Sequence, residues 1–140
     1  MDHSLIFFLL AVLIAGLALL ITLRLTKKRG TLFDKEAYQV DFLRIENALQ
    51  QGNDASYAMV VIQGDKLLDK ALCQMGVQGR TMGDRLKKIG DAKFSEINKV
   101  WNAHKLRNRI AHESDFQPDF KQAKNALATY KQALKDLGAI

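Results

Sequence analysis

The chain has 140 residues, 48% hydrophobic and 26% charged, with a net charge of +6 and one cysteine. That length leaves room for one modest domain beside a terminal segment, and a lone thiol excludes an internal disulfide and a cysteine-based zinc cluster. The charge divides as +3 for residues 1–29 (four cations, one anion) and +3 for residues 30–140 (17 cations, 14 anions), so the larger part is only mildly basic.

Residues 1–29 are expected to form a transmembrane anchor with a basic flank. Leu5 to Leu23 runs for 19 residues without a charge, which at 1.5 Å per residue matches a hydrocarbon core of about 30 Å. A signal peptide is the rival reading, but no cation precedes the stretch and no Ala-x-Ala cleavage site follows it. Arg24, Lys27, Lys28 and Arg29 come next, against the single Asp2 ahead. The positive-inside rule then puts the N-terminus outside and residues 30–140 in the cytoplasm, a single-pass protein of the cell membrane.

Residues 30–140 carry helical patterns and no convincing strand alternation. Asp34 can cap a helix in which Tyr38, Phe42, Ile45 and Leu49 recur at helical spacing until Gly52-Asn53 stops it. Asp54 opens a second helix that ends near Gly76, with an apolar stripe of Ala58, Val61, Ile62, Leu68, Leu72 and Met75. Asp65 falls on that stripe. Burying a lone carboxylate is costly, so either Asp65 sits in water at the edge of the stripe or it faces the core and orients Arg107, Arg109 or the Trp101 indole. Cys73 is expected to pack as a small apolar residue. Gly76, Gly79 and Gly83 follow no nucleotide-loop spacing, and a short helix is expected over Met82 to Ile89. Pro118 suits the first turn of a final helix carrying Phe120, Leu127, Tyr130, Leu134 and Leu137.

Between these lies the stretch densest in reactive side chains. Phe94 to Glu113 contains no proline or glycine and reads as one amphipathic helix, with Val100 to Glu113 running V-W-N-A-H-K-L-R-N-R-I-A-H-E. His104, Asn108 and His112 form a stripe at i, i+4 and i+8. Arg107 and His112 are five apart and diverge around a straight helix, so they share a phosphate only if the helix end frays or a second copy supplies half the site. An imidazole moves protons near neutral pH and a guanidinium offers a fork of donors to phosphate, the groups that metal-free phosphodiester cleavage needs. The other reading is that both histidines are ordinary helix residues and the arginines a solvated face. Residues 80–109 hold nine cations against three anions, a surplus that suits a phosphate-bearing partner or a lysine-rich solvated face.

The segment Arg107-Asn108-Arg109-Ile110-Ala111-His112 resembles the signature of the HEPN superfamily: an arginine, a polar residue, then a histidine after four to six intervening positions. The order of helices over about residues 34 to 138 resembles compact bacterial HEPN-like domains. With the anchor read from residues 1–29, the expectation is an all-α protein in two parts, 1–29 and 30–140, a single N-terminal transmembrane helix followed by an antiparallel four- to five-helix bundle, which the resemblance makes HEPN-like. The resemblance also implies a homodimer around a shared cleft that cleaves RNA without metal or cofactor. Arg107 would contact the scissile phosphate, His112 would transfer protons and Asn108 would support them; Asp65, His104, Lys105 and Arg109 would support or bind substrate. The alternative within the same resemblance is a non-catalytic module that binds nucleotide, nucleic acid or a protein partner at the cytoplasmic membrane surface.

Overall fold

A computed structural model describes residues 3–26, 32–52 and 54–140, and the chain divides into two units, Met1–Thr31 and Leu32–Ile140. The first unit holds helix α1, His3–Thr26, whose large apolar side chains from Ile6 to Ile21 are exposed. The transmembrane assignment of residues 5–23 is corrected here. Among the described residues no helix is long and apolar enough to cross a membrane. The side chains of Leu5, Leu23 and Arg24, and Lys27, Lys28 and Arg29 altogether, lie outside the described residues. The single-pass location at the cell membrane, with its outside N-terminus and cytoplasmic domain, rested on that span and falls with it.

The second unit is a helical bundle with no strand among the described residues. Helix α2, Lys35–Gln50, starts where the Asp34 carboxylate accepts from the Ala37 N–H at 3.1 Å, satisfying one donor that a helix start leaves open. It buries Tyr38, Phe42, Ile45 and Leu49. Helix α3, Asp54–Gln74, packs against α2 and against the three helices that follow it. Its end is a left-handed glycine turn: Gly76 has φ +76°, and the Val77 N–H donates back to the Leu72 carbonyl. Cys73, expected inside, is exposed here in the last turn of α3, because the buried stripe at this end is taken by Ala71 and Leu72.

Helix α4, Met82–Ile89, opens on a capping box in which Thr81 and Asp84 exchange hydrogen bonds at 3.1 and 3.2 Å. A 3-10 turn, Asp91–Lys93, separates it from α5, Ile97–His112. Phe94 to Glu96 therefore stand outside the helix that the uninterrupted sequence suggested. Gly90 at φ +68° redirects the chain, and the Ser95 N–H and hydroxyl both donate to Asp136 at 2.8 Å, fixing the turn before α5 against the end of the last helix. That helix, α6, is Phe120–Asp136, with Asp119 rather than Pro118 as its boundary. Pro118 lies ahead of the cap and is buried, while Asp119 and Gln122 form the capping box.

Long-range pairs give the directions of the helices. Tyr38 at the start of α2 donates to Gln74 at the end of α3 (2.6 Å), and Ser95 ahead of α5 meets Asp136 at the end of α6. Both consecutive pairs therefore run antiparallel. Lys131 of α6 reaches Glu46 of α2 at 2.6 Å. The core is one cluster in which Tyr38, Phe42, Leu68, Leu72, Leu86, Tyr130 and Leu134 are almost wholly removed from solvent, the apolar burial that offsets the cost of ordering the chain.

Candidate functional site

Helices α3, α4 and α5 enclose a cleft of about 780 Å³ whose lining includes Asp65, Trp101, His104, Lys105, Arg107, Asn108 and His112. At its base Asp65 is only 4% exposed, so its carboxylate needs partners within the protein. It has them. His104 Nδ1 stands 2.8 Å from Oδ1, the Tyr130 hydroxyl donates to the same oxygen at 3.2 Å, and Arg107 Nε lies 3.7 Å from Oδ2. A carboxylate only accepts, so His104 carries a proton on Nδ1, and Nε2 is the ring nitrogen turned away from Asp65.

Two glycines make this arrangement possible. A Cβ at Gly64 would come 2.5 Å from Tyr130 Cδ2; the bare backbone of α3 lets the phenol ring lie against it and bring the hydroxyl to the neighbouring Asp65. At the cleft mouth, a Cβ at Gly83 would stand 3.5 Å from His104 Nε2, 3.8 Å from Thr81 Oγ1 and 3.9 Å from Trp101 Cζ3. Gly83 therefore stands at ordinary contact distance from the imidazole of His104, which is itself buried, and from the edge of the indole. Burial raises the Tyr130 pKa well above its ordinary value, the adjacent Asp65 charge and the bond donated to it add to this, and Arg107 pulls weakly the other way. The phenol stays neutral and remains a donor.

The charge in the cleft is unevenly engaged. Its three carboxylates are each committed: Asp65 as above, Asp69 to Arg85 at 2.9 Å, and Asp84 to the cap of α4. Hydrogen bonds from the Thr81 side chain and backbone hold the Asp84 carboxyl below the usual range. Lys66 and Lys105 have no carboxylate in ion-pair reach among the described residues, Lys87 acts on Asp84 through its charge, and the buried Nε of Arg107 has no hydrogen bond. Arg107 Nη1 donates to Asn108 Oδ1 at 3.2 Å, with its side chain 36% exposed. A cleft whose carboxylates are each engaged, and which keeps lysines without an ion-pair partner, is receptive to phosphate. Among the described residues no three His, Cys, Asp or Glu side chains gather where one metal ion could be held.

Six of the seven site residues singled out in the sequence line this one cleft. The exception is Arg109, whose guanidinium lies on the far side of α5, paired with Glu113 at 3.3 Å and stacked 3.9 Å over the Phe116 ring. Of the three partners considered for Asp65, Arg107 alone is close; the Trp101 ring instead meets His104 edge-on with centroids 6.2 Å apart. Arg107 and His112 open onto the same cleft of one chain although they diverge around the helix, because α5 ends at His112 and leaves that imidazole exposed at the rim. The pairing of Asp65 with His104 was missed, and so was Tyr130. A polar residue on the apolar stripe of each of two helices was the available signal, since each requires the other once buried. A second groove of about 730 Å³ between α5 and α6 is lined by amides and small residues and has neither imidazole nor guanidinium.

No protein-family model matches the chain, and neither a curated protein nor a solved structure matches it.

Proposed function

We propose that the protein is a metal-independent endoribonuclease that works in the Asp65–His104–Arg107–His112 cleft. The observation that carries this reading is the 2.8 Å contact of Asp65 with His104 Nδ1, which orients a buried imidazole in the wall of the cleft that Arg107 and His112 also line, with Nε2 beside Gly83. The likeness of residues 107–112 to the HEPN signature points the same way.

In this reading Arg107 and the unpaired lysines hold the scissile phosphodiester, and Asn108 keeps the guanidinium in place. His104 Nε2 takes the proton of the ribose 2′-hydroxyl as its oxygen bonds to the adjacent phosphorus. The bond from phosphorus to the 5′-oxygen breaks, and protonated His112 gives that oxygen its proton. The products are a 2′,3′-cyclic phosphate and a 5′-hydroxyl end. Asp65 stabilises the imidazolium formed at His104, and Arg107 the charge that grows on the phosphate oxygens. One chain carries every group required, so the homodimer implied by the resemblance is not needed for the chemistry.

A second reading, a non-catalytic module that binds nucleotide or nucleic acid in the same cleft, draws on His112, whose tautomer nothing among the described residues holds. The full chain, incubated with RNA in EDTA beside His104→Ala, Arg107→Ala and His112→Ala, separates the two. Cleavage lost in all three variants supports the nuclease. Binding without cleavage by the wild type supports the module.

A further inference from the structure

Trp101 takes no part in the proton transfers above, yet it lines the cleft half-buried, one turn ahead of His104 on α5. On α4 its nearest approach is to Gly83, where even a Cβ would stand 3.9 Å from Cζ3, so no side chain there presses on the ring edge. Its neighbours in the cleft include Lys66 and Lys105, cations with no carboxylate in ion-pair reach among the described residues. A half-buried aromatic ring in a cleft beside such cations is the combination that binds a single-stranded nucleic acid, one group taking a base and the others the backbone.

We infer that Trp101 is a nucleobase-stacking platform, and that the cleft takes single-stranded RNA with the base 5′ to the cut laid on the indole. This rests on the nuclease reading for the word "cut" but not for the stacking. Along α5, His104 is about 4.5 Å beyond Trp101, Arg107 about 4.5 Å beyond His104, and His112 about 7.5 Å further on, at 1.5 Å per residue. A nucleotide whose base rests on Trp101 presents its 2′-hydroxyl to His104, its 3′-phosphate to Arg107 and the leaving 5′-oxygen to His112. The strand runs 5′ to 3′ in the direction of the helix. A duplex cannot enter this way, since its bases are already stacked and paired.

Trp101 is the chain's only tryptophan, so its fluorescence reports on this site alone. Three probes are titrated into the full chain: a short single-stranded RNA with methylated 2′-oxygens, which cannot supply the nucleophile; the same strand with abasic residues; and its duplex. The inference expects saturable quenching by the first and little by the others at equal phosphate concentration. Quenching of equal size by all three, or by none, overturns it. With cleavable RNA, Trp101→Leu should raise KM about tenfold or more with kcat little changed, and Trp101→Phe should restore most of the loss; circular dichroism confirms that each variant is folded. Quenching by the methylated strand with no cleavage of ordinary RNA would retire the nuclease and keep the base site. Cleavage unaltered in Trp101→Leu would retire the base site and keep the nuclease.

Discussion

Replacing Asp65 by Asn tests the link between fold and chemistry in a single atom. The amide keeps the size of the side chain and one acceptor oxygen, so His104 and Tyr130 still find a partner, but their two bonds lose the carboxylate charge. Hydrogen bonds to a charged group exceed neutral ones by about 1 kcal/mol each, and Arg107 now faces a donor instead of an acceptor. With Asp65 only 4% exposed, little of this is screened by solvent. The variant should lose about 2–3 kcal/mol, lowering Tm by about 8–12 °C for a unit of this size. An amide also accepts either tautomer of His104, so the base is no longer held with Nε2 free. General acid-base catalysis contributes about 10²–10⁴-fold, and kcat should fall by about 10² or more with KM little changed. Thermal unfolding followed by circular dichroism and cleavage kinetics on one RNA measure both effects. A variant as stable and as active as the wild type, or a more stable one, would refute the reasoning.

Other substitutions separate the remaining roles. Gly64→Ala should destabilise the bundle by about 1–3 kcal/mol despite the better helix propensity of alanine, because the new Cβ meets the buried Tyr130 ring at 2.5 Å; a rise in the denaturant midpoint would contradict this. Arg109→Ala should leave cleavage intact and cost at most about 1 kcal/mol, as expected of an exposed pair, whereas Arg107→Ala should abolish cleavage. Equal losses in the two variants would mean that the guanidinium facing the cleft has no special part. Tyr130 contributes stability through its neutral form: with its folded pKa raised, that contribution is complete below the unfolded value of about 10 and is lost as pH rises beyond it. Burial raises the Tyr38 phenol too, so in an alkaline absorbance titration the late ionisation that accompanies unfolding should be smaller by one phenol in Tyr130→Phe.

The parts of the fold legible in the sequence are those governed by local chemistry. Asp34, Thr81 and Gly76 bound helices through hydrogen bonds within a few residues, and the apolar repeats of α2, α3 and α6 fall on their buried faces apart from Phe120, which is exposed in the first turn of α6. The errors come from contacts over long separations. Nothing near Phe94 forbids a helix; the Ser95 bonds to Asp136, 41 positions away, hold that segment open. Asp65 on its stripe signals a buried charge, but its closest partner is 39 residues distant on α5, where the spacing of the motif draws attention to Arg107 and His112 rather than to the buried His104. Arg109 lies within the motif, yet two residues of helical rotation carry it to the opposite face from Arg107. The span over residues 5–23 was read from apolarity alone, which registers the character of α1 and not its surroundings.

The proposed proton transfers by the imidazoles of His104 and His112 leave a distinct product, which the phosphorus NMR spectrum of RNA digested by the full chain in EDTA detects. A 2′,3′-cyclic phosphate signal should grow with the wild type and stay absent with a His104→Ala, His112→Ala double variant. Products ending in 5′-phosphate, or a cyclic phosphate formed equally fast by the double variant, would contradict these proton transfers.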